Sequence, residues 1–316
     1  MKGKRYLIGV LSMVTSRPKT SNPITIRNAI IRGKALRLDM LIGPEWSLCS
    51  SSATRCKSNK ESTHDKVLSR LASKGWVETS NSDHEKNVHN TAPLLRSRTF
   101  SARDANDLYR QMHNTRHYRE LPEDVPYSPR EAVRVINALR NATKGSDMVV
   151  MPGTMMIYTN SGRLYNVMPV VSNGKLIYSV LKYNDGGSSL FNLGGILKFM
   201  HGRSHGYTFK HDGIQFGIEI CADSCSLART TSQNGSKGLD IQILSSCGDR
   251  YTISALRRGG YFICSDGTGD GYTRVETSNR KPISPSLVDD DNLIVYSTSM
   301  LLHRRREETR RKDRET

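Results

Sequence analysis

Three side chains suited to acyl chemistry stand at the ends of apolar segments in this 316-residue chain. Cys221 closes the run Gly217-Ile218-Glu219-Ile220 and precedes Ala222-Asp223, where a strand is predicted to turn toward a helix. A helix N-terminus presents unpaired backbone N–H groups that favour a thiolate. The same amides, that of Ala222 first, could hold the oxyanion formed when a thiolate attacks an acyl carbon. An inert thiol fits this pattern equally well, because cysteine is among the most buried residue types. Lys182 follows the largely apolar stretch 175–181, so its methylenes could lie along a core while the ammonium reaches a cavity rim. There it could stabilise an oxyanion or lower a thiol pKa; taken locally, an ordinary solubilising lysine is the simpler reading. Glu45 follows Met40-Leu41-Ile42-Gly43-Pro44 and sits beside Trp46, whose ring could exclude water and make the carboxylate a better base. A solvated or ion-paired glutamate is the alternative.

The elements that must position these groups read as an α/β pattern. Residues 6–14 predict a buried strand. Asn22-Pro23 supplies a cap and a first-turn proline for an amphipathic helix reaching about Leu38, with Ile26, Ala29, Ile30 and Leu36 on its apolar side. A short strand at 40–43 follows, giving strand, helix, strand in a layered fold. Ser128-Pro129-Arg130-Glu131 is a second helix start, continued by the stripe Ala132, Val135, Ile136 and Leu139. Residues 148–158 predict one strand, or two broken at Pro152-Gly153. Residues 164–171 and 176–181 flank Ser172-Asn173-Gly174-Lys175, a hairpin signal. Further strands are expected at 207–209, 214–221 and 241–246, and helices after Ala222 and over about 250–258.

Composition narrows the classes. No stretch of 18 apolar residues occurs, so no transmembrane helix and no membrane insertion are expected, and the short apolar start lacks a secretory pattern. Lysine and arginine total 47 against 30 acidic residues, a formal charge of +17 that favours anionic partners, an acidic protein among them. The excess is concentrated early: residues 1–40 carry nine basic side chains and one acidic. Six cysteines without paired CxxC motifs point to free thiols in a reducing, cytoplasmic setting. Residues 1–302 read as one domain with a polar insertion at about 50–125, and 303–316 as a charged tail.

Taken in order, Gly43-Pro44-Glu45-Trp46, Leu164-Tyr165-Asn166, the stretch from Asn173 to Lys182, and the stretch from Gly213 to Asp223 resemble the nitrilase, or carbon–nitrogen hydrolase, superfamily. Residues 238–246 resemble the strand that follows the nucleophile there. The resemblance covers most of 5–50 and 145–265. It implies a four-layer α-β-β-α sandwich, with Glu45 as base, Lys182 as the triad lysine and Cys221 as nucleophile. It further implies hydrolysis of a small-molecule amide or nitrile through a cysteine acyl-enzyme, or acyl transfer, in a homodimer without a cofactor or metal. Trp46, Asn166, Asp185, Asp223 and Ser246 are the supporting or pocket candidates, with Asp223 in a structural part. Two departures stand out. Many relatives carry a further glutamate soon after the lysine, where this chain offers Asp185. Many have an aromatic residue after the nucleophile, where this chain has Ala222.

Other readings use the same residues. A nitrilase-like binding or regulatory protein would keep the fold and lose turnover. A basic nucleic-acid-associated protein would use the charge, although no zinc-finger or glycine-rich RNA-binding pattern is present. A histidine among His201, His205 and His211 could activate Cys221 in a protease-like pair, and Cys221 with Cys225 could begin a metal site.

Overall fold

Strand alternation builds two sheets that share one apolar layer. The computed structural model describes residues 4–13, 22–45, 47–48, 127, 129–158, 163–183, 198–199, 207–223, 238–246, 255–268, 272–289 and 292–300. The expected insertion at 50–125, the tail 303–316, and Trp46, Asp185, His201, His205 and Cys225 lie outside the described residues.

In chain order the elements are β1 (Lys4–Leu11), α1 (Asn22–Ala35), β2 (Met40–Ile42), α2 (Pro129–Thr143), β3 (Val149–Met151), β4 (Met155–Tyr158) and β5 (Arg163–Ser172). There follow β6 (Lys175–Leu181), β7 (Lys198–Phe199), β8 (Thr208–His211), β9 (Ile214–Ile220), a 3₁₀ turn (Cys221–Asp223) and β10 (Leu239–Ser246). The last four are β11 (Leu256–Asp266), β12 (Arg274–Thr277), β13 (Leu287–Val288) and β14 (Leu293–Met300).

The first sheet runs β13-β14-β1-β2-β3-β5-β4, with β6 and β7 also paired to β5. Its centre, β1, β2 and β3, is parallel. Asp39 pins that register: its carboxylate accepts from the Leu7 amide at 2.9 Å, its amide donates to the Leu7 carbonyl, and its carbonyl accepts from the Val149 amide. The second sheet runs β12-β11-β10-β9-β8, with β9, β10 and β11 parallel.

Period-two alternation assigns the faces. Ile26, Ile30, Ala132, Ile136 and Leu139 of the two helices pack with Leu41, Val150, Tyr165 and Val167 on one side of the first sheet. The other side, with Ile8, Val10, Met40, Ile42, Met168, Val170 and Val180, meets Phe216, Ile218, Ile220, Ile241, Ile243 and Ile263 of the second sheet. Each such side chain stabilises the fold by roughly 1.5–3 kcal/mol when fully buried. Tyr178, Phe209 and Phe216 stack across this layer with ring centroids 4.8 Å apart at each step, and the Tyr178 hydroxyl donates to the Thr208 carbonyl.

Several sequence expectations hold. The hairpin turns through Asn173 (φ 45°) and Gly174 (φ 73°), the left-handed pair that an Asn-Gly turn supplies. The stretch 148–158 is two strands. Two expectations are corrected. Helix α1 stops at Ala35, not Leu38, because Arg37 enters the left-handed region and the Leu38 amide bonds back to the Gly33 carbonyl. This is a Schellman-type ending, with arginine where glycine is usual. The helix expected over about 250–258 is not formed at 256–258, which begin β11, with Leu256 paired to Leu239 of β10. Beyond Gly260, β14 pairs antiparallel along the whole of β1.

Candidate active site

The carboxyl ends of the parallel strands in both sheets meet, the position where open α/β sheets usually form binding crevices. After β2 the chain passes Gly43-Pro44 against Pro152-Gly153. A side chain at Gly43 would strike the Pro152 carbonyl, one at Gly153 the Pro44 carbonyl, and Gly153 has φ 95°. The Gly43 amide donates to Met151 O at 2.8 Å, and the Ser47 hydroxyl donates to Pro152 O. From the second sheet, the Ser245 hydroxyl donates to Gly43 O at 3.0 Å, and the Ser246 carbonyl accepts from the Glu45 amide at 3.3 Å. Glu45 is thereby fixed where the sheets join.

Lys182 and Asn166 arrive by alternation. Tyr178 and Val180 face the inter-sheet layer on β6, and Met168 and Val170 do so on β5, so Lys182 and Asn166 continue the same two rows. The Lys182 amide donates to Asn166 O at 2.9 Å, extending the ladder by one step. Both rows therefore end in polar groups facing Glu45.

Glu45 and Lys182 are 1% and 2% exposed, and Lys182 Nζ lies 2.6 Å from Glu45 Oε1. Asn166 Nδ2 donates to the same oxygen at 3.0 Å. Both donors converge on Oε1, leaving Oε2 with no hydrogen bond among the described residues. Burial, the largest influence on Lys182, works to lower its pKa. The charge of Glu45, the Cys221 sulfur, the hydrogen bond donated to Glu45 and the charge of Asp223 together outweigh burial and hold the pKa above the usual lysine value. Lys182 is an ammonium throughout the neutral range.

Cys221 follows β9 at φ 47°, a left-handed backbone that a non-glycine residue adopts only under constraint from its surroundings. It is half-buried, as is Ala222, and it opens the 3₁₀ turn Cys221–Asp223; the helix expected after Ala222 falls on residues 224–237, which lie outside the described residues. Asp223 is fully buried and its two carboxylate oxygens accept from the Tyr183 amide at 3.2 and 3.0 Å. This bond ties the cysteine turn to the residue after Lys182.

The structure thus brings together Glu45, Lys182 and Asn166, with the Cys221 turn within electrostatic reach of the lysine. Ser246 contributes its carbonyl. Its neighbour Ser245 makes the side-chain contact, and the signal was present in the row Ile241, Ile243, Ser245. Sequence reading also missed Glu219, buried on the far face of the second sheet, where Gln242 donates to it at 2.9 Å. His211 pairs with Ile214 at the start of β9, six residues before Ile220, so it stands at the opposite end of that strand from Cys221. Among the described residues no group of three or more His, Cys, Asp or Glu could hold a metal, and no helix is long and apolar enough to cross a membrane. Cys221 and Cys264 are free thiols.

Comparison with known proteins supplies the fold's name. An amidase of the nitrilase superfamily from Nesterenkonia AN1, as a cysteine-to-alanine mutant, matches 99% of this chain and 98% of its own at 13% identity and a TM-score of 0.53. The chain has the nitrilase fold. Nit3 of Saccharomyces cerevisiae, a member of branch 10 of the nitrilase superfamily, also matches, over 99% of this chain and 95% of its own, at 12% identity and a TM-score of 0.50. Another structure of the Nesterenkonia amidase, a glutamate-to-glutamine mutant, carries the acetamide moiety of fluoroacetamide added covalently at the active-site cysteine; it is 12% identical, with a TM-score of 0.52, over 98% of this chain and 97% of its own. The chain spans less than half of a glutamine-dependent NAD+ synthetase from Acinetobacter baumannii, which it also matches. Neither a protein-family model nor a curated protein matches the sequence. At 12–13% identity the likeness is one of fold.

Proposed function

We propose that this nitrilase-fold chain is a thiol-dependent carbon–nitrogen hydrolase acting on a small-molecule amide through a thioester on Cys221. One observation carries the reading: a buried Glu45–Lys182 pair sharing a single carboxylate oxygen, beside a cysteine at a left-handed strand end. A buried pair of this kind is a weak source of stability, so its retention at a crevice is better accounted for by chemistry. Cysteine adduct formation in the Nesterenkonia amidase supports the covalent step by analogy.

In this mechanism Cys221 attacks the amide carbon and its thiol proton passes to Glu45 Oε2, the carboxylate oxygen with no hydrogen bond among the described residues. Lys182 and the Ala222 amide stabilise the negative oxygen. The proton held by Glu45 moves to the nitrogen as the C–N bond breaks, and the amine departs. Water then gives a proton to Glu45 and attacks the thioester carbon. The carboxylic acid leaves and the thiol is restored. Transfer of the acyl group to another nucleophile would use the same intermediate. A homodimer and a reducing cytoplasmic setting complete the proposal, the latter supported by the free thiols at 221 and 264.

Intact-mass analysis during turnover of an amide panel, with Cys221→Ala as control, tests it. A transient acyl adduct absent from the control is expected. Turnover without an adduct, or an adduct at another residue, overturns the reading; a stable fold with no turnover of any amide would favour the binding-protein alternative.

A further inference from the structure

Asn166 carries a group that the mechanism above leaves unused. Its side chain is fully buried and its Nδ2 donates to Glu45 Oε1, yet among the described residues its Oδ1 has no hydrogen-bond donor. Exchanging the two ends would not resolve this. A carboxylate paired with an ammonium only accepts, so the NH₂ end must face Glu45 and the oxygen must face elsewhere. A buried acceptor in this state has lost its water without gaining a donor, a state that calls for a partner.

The oxygen belongs to the same carboxamide that holds the proposed base, so it is rigidly placed beside that base. Glu45 is thus both the hydrogen-bond partner of Asn166 and, in the proposed mechanism, the group that passes a proton to the leaving group. In amide hydrolysis that leaving group is the scissile nitrogen, which carries N–H donors. We propose, resting on the hydrolase reading, that Asn166 Oδ1 accepts a hydrogen bond from the N–H of the scissile amide. Asn166 thereby selects carboxamides with at least one N–H over esters, N,N-dialkyl amides and nitriles, none of which offers a donor at that atom. The selection operates through desolvation: a substrate without the donor leaves Oδ1 buried and unsatisfied, whereas one with it completes the set. Asn166 is then both a positioning residue for Glu45, through Nδ2, and a specificity-determining residue, through Oδ1.

The two parts separate experimentally. Loss of Glu45 positioning slows every donor with an amine leaving group alike, because each takes its proton from Glu45, whereas loss of the Oδ1 contact penalises only those that carry an N–H. Acylation of Cys221 by N-methyl amides and N,N-dimethyl amides of the same acyl panel (acetyl, butyryl, benzoyl and succinyl) is followed by intact mass for the full-length wild type and for Asn166→Ala. The expected result is that the variant's loss on the N-methyl amide exceeds its loss on the matched N,N-dimethyl amide by about tenfold to a hundredfold. Equal losses overturn the proposal and leave Asn166 with positioning alone. A second measurement guards against misfolding of that variant. In Cys221→Ala protein with Asn166 intact, calorimetric affinity for the N-methyl amide is expected to exceed that for the isosteric methyl ester by about tenfold or more. Equal affinities, or no binding of either, overturn it. If wild-type Cys221 is acylated by neither class, the hydrolase reading falls and takes this one with it. If it is acylated by both and the ratio of N-methyl to N,N-dimethyl amide is unchanged by Asn166→Ala, only this inference fails.

Discussion

Cys221 and Cys264 occupy the same five-stranded sheet and have opposite surroundings. Cys264 lies inside β11, between Ile263 and Ser265, on the face turned away from the inter-sheet layer, packed with Leu244 and Phe262. Burial foremost, and then the charge of Asp266, push its thiol up to about 12. Cys221 sits where β9 ends, half-open, beside a lysine held charged by buried acidic groups. The difference is one of position along a strand. A strand interior satisfies its backbone and excludes charge, so a thiol there is packing material. A strand end releases the backbone into a left-handed turn and allows polar side chains from the opposing sheet to approach.

That comparison is broken most directly by exchanging the two thiols for alanine. Cys221→Ala should lower amide turnover by at least about 10⁴-fold with the fold retained, since covalent chemistry is lost. Cys264→Ala should leave kcat within about twofold and cost about 1–3 kcal/mol in urea denaturation. A loss of turnover in the second variant, with its fold intact, would remove the distinction.

Next in size are the partners of the open thiol. Glu45→Gln should remain folded and lose about 10²–10⁴-fold in turnover through loss of the base. Lys182→Met should lose about 10²–10³-fold through the missing oxyanion donor. It should also be destabilised by about 3–5 kcal/mol, because Glu45 would stay buried without its counter-charge. Turnover near the wild-type rate in either variant would sever the pair from the chemistry.

Labelling sharpens the contrast without mutation. At pH 8 a thiol with a pKa of about 12 is ionised to about one part in 10⁴. Iodoacetamide in the folded state, read by peptide mass, should therefore modify Cys221 at least about tenfold faster than Cys264. Comparable rates would show that strand position does not govern reactivity here.

The smallest expected effect concerns pH. The folded pKa of Lys182 is raised above its ordinary value of 10.5, so the folded state binds the proton more tightly than the unfolded chain. The resulting stability is fully present below that ordinary value and is lost as pH rises through the folded pKa. Urea midpoints of wild type and Lys182→Met should thus converge in the alkaline range above about pH 10.5 and differ by a constant amount near neutrality. A gap that widens with rising pH would contradict the direction of the shift.

Legibility in the sequence follows the range of the governing interaction. The hairpin could be read because Asn173-Gly174 supplies two left-handed residues between alternating strands. Helix α2 could be read because Pro129 and the stripe from Ala132 to Leu139 lie within four turns. By contrast, nothing local announces that β14 closes the first sheet against β1, nor that β11 begins at Leu256, where a helix was expected. The rows Met168, Val170 and Tyr178, Val180 indicate a buried face, but not which strand ends lie opposite them. The same limit applied to Ser245 and Ser246: alternation pointed to the first, while only the joining of the sheets gave its hydroxyl the Gly43 carbonyl as partner.

By itself, the sequence determined local backbone geometry, the buried face of each segment, and the chain order of a carboxylate, an ammonium and a thiol. Tertiary structure alone decided that Glu45 and Lys182, 137 residues apart, meet at one oxygen, that Asn166 donates to the same atom, and that Asp223 fastens the cysteine turn to Tyr183. The physical reason is one of range. Turn chemistry and side-chain periodicity act over a few residues, whereas the pairing of distant strand ends is selected by burial of the whole inter-sheet layer.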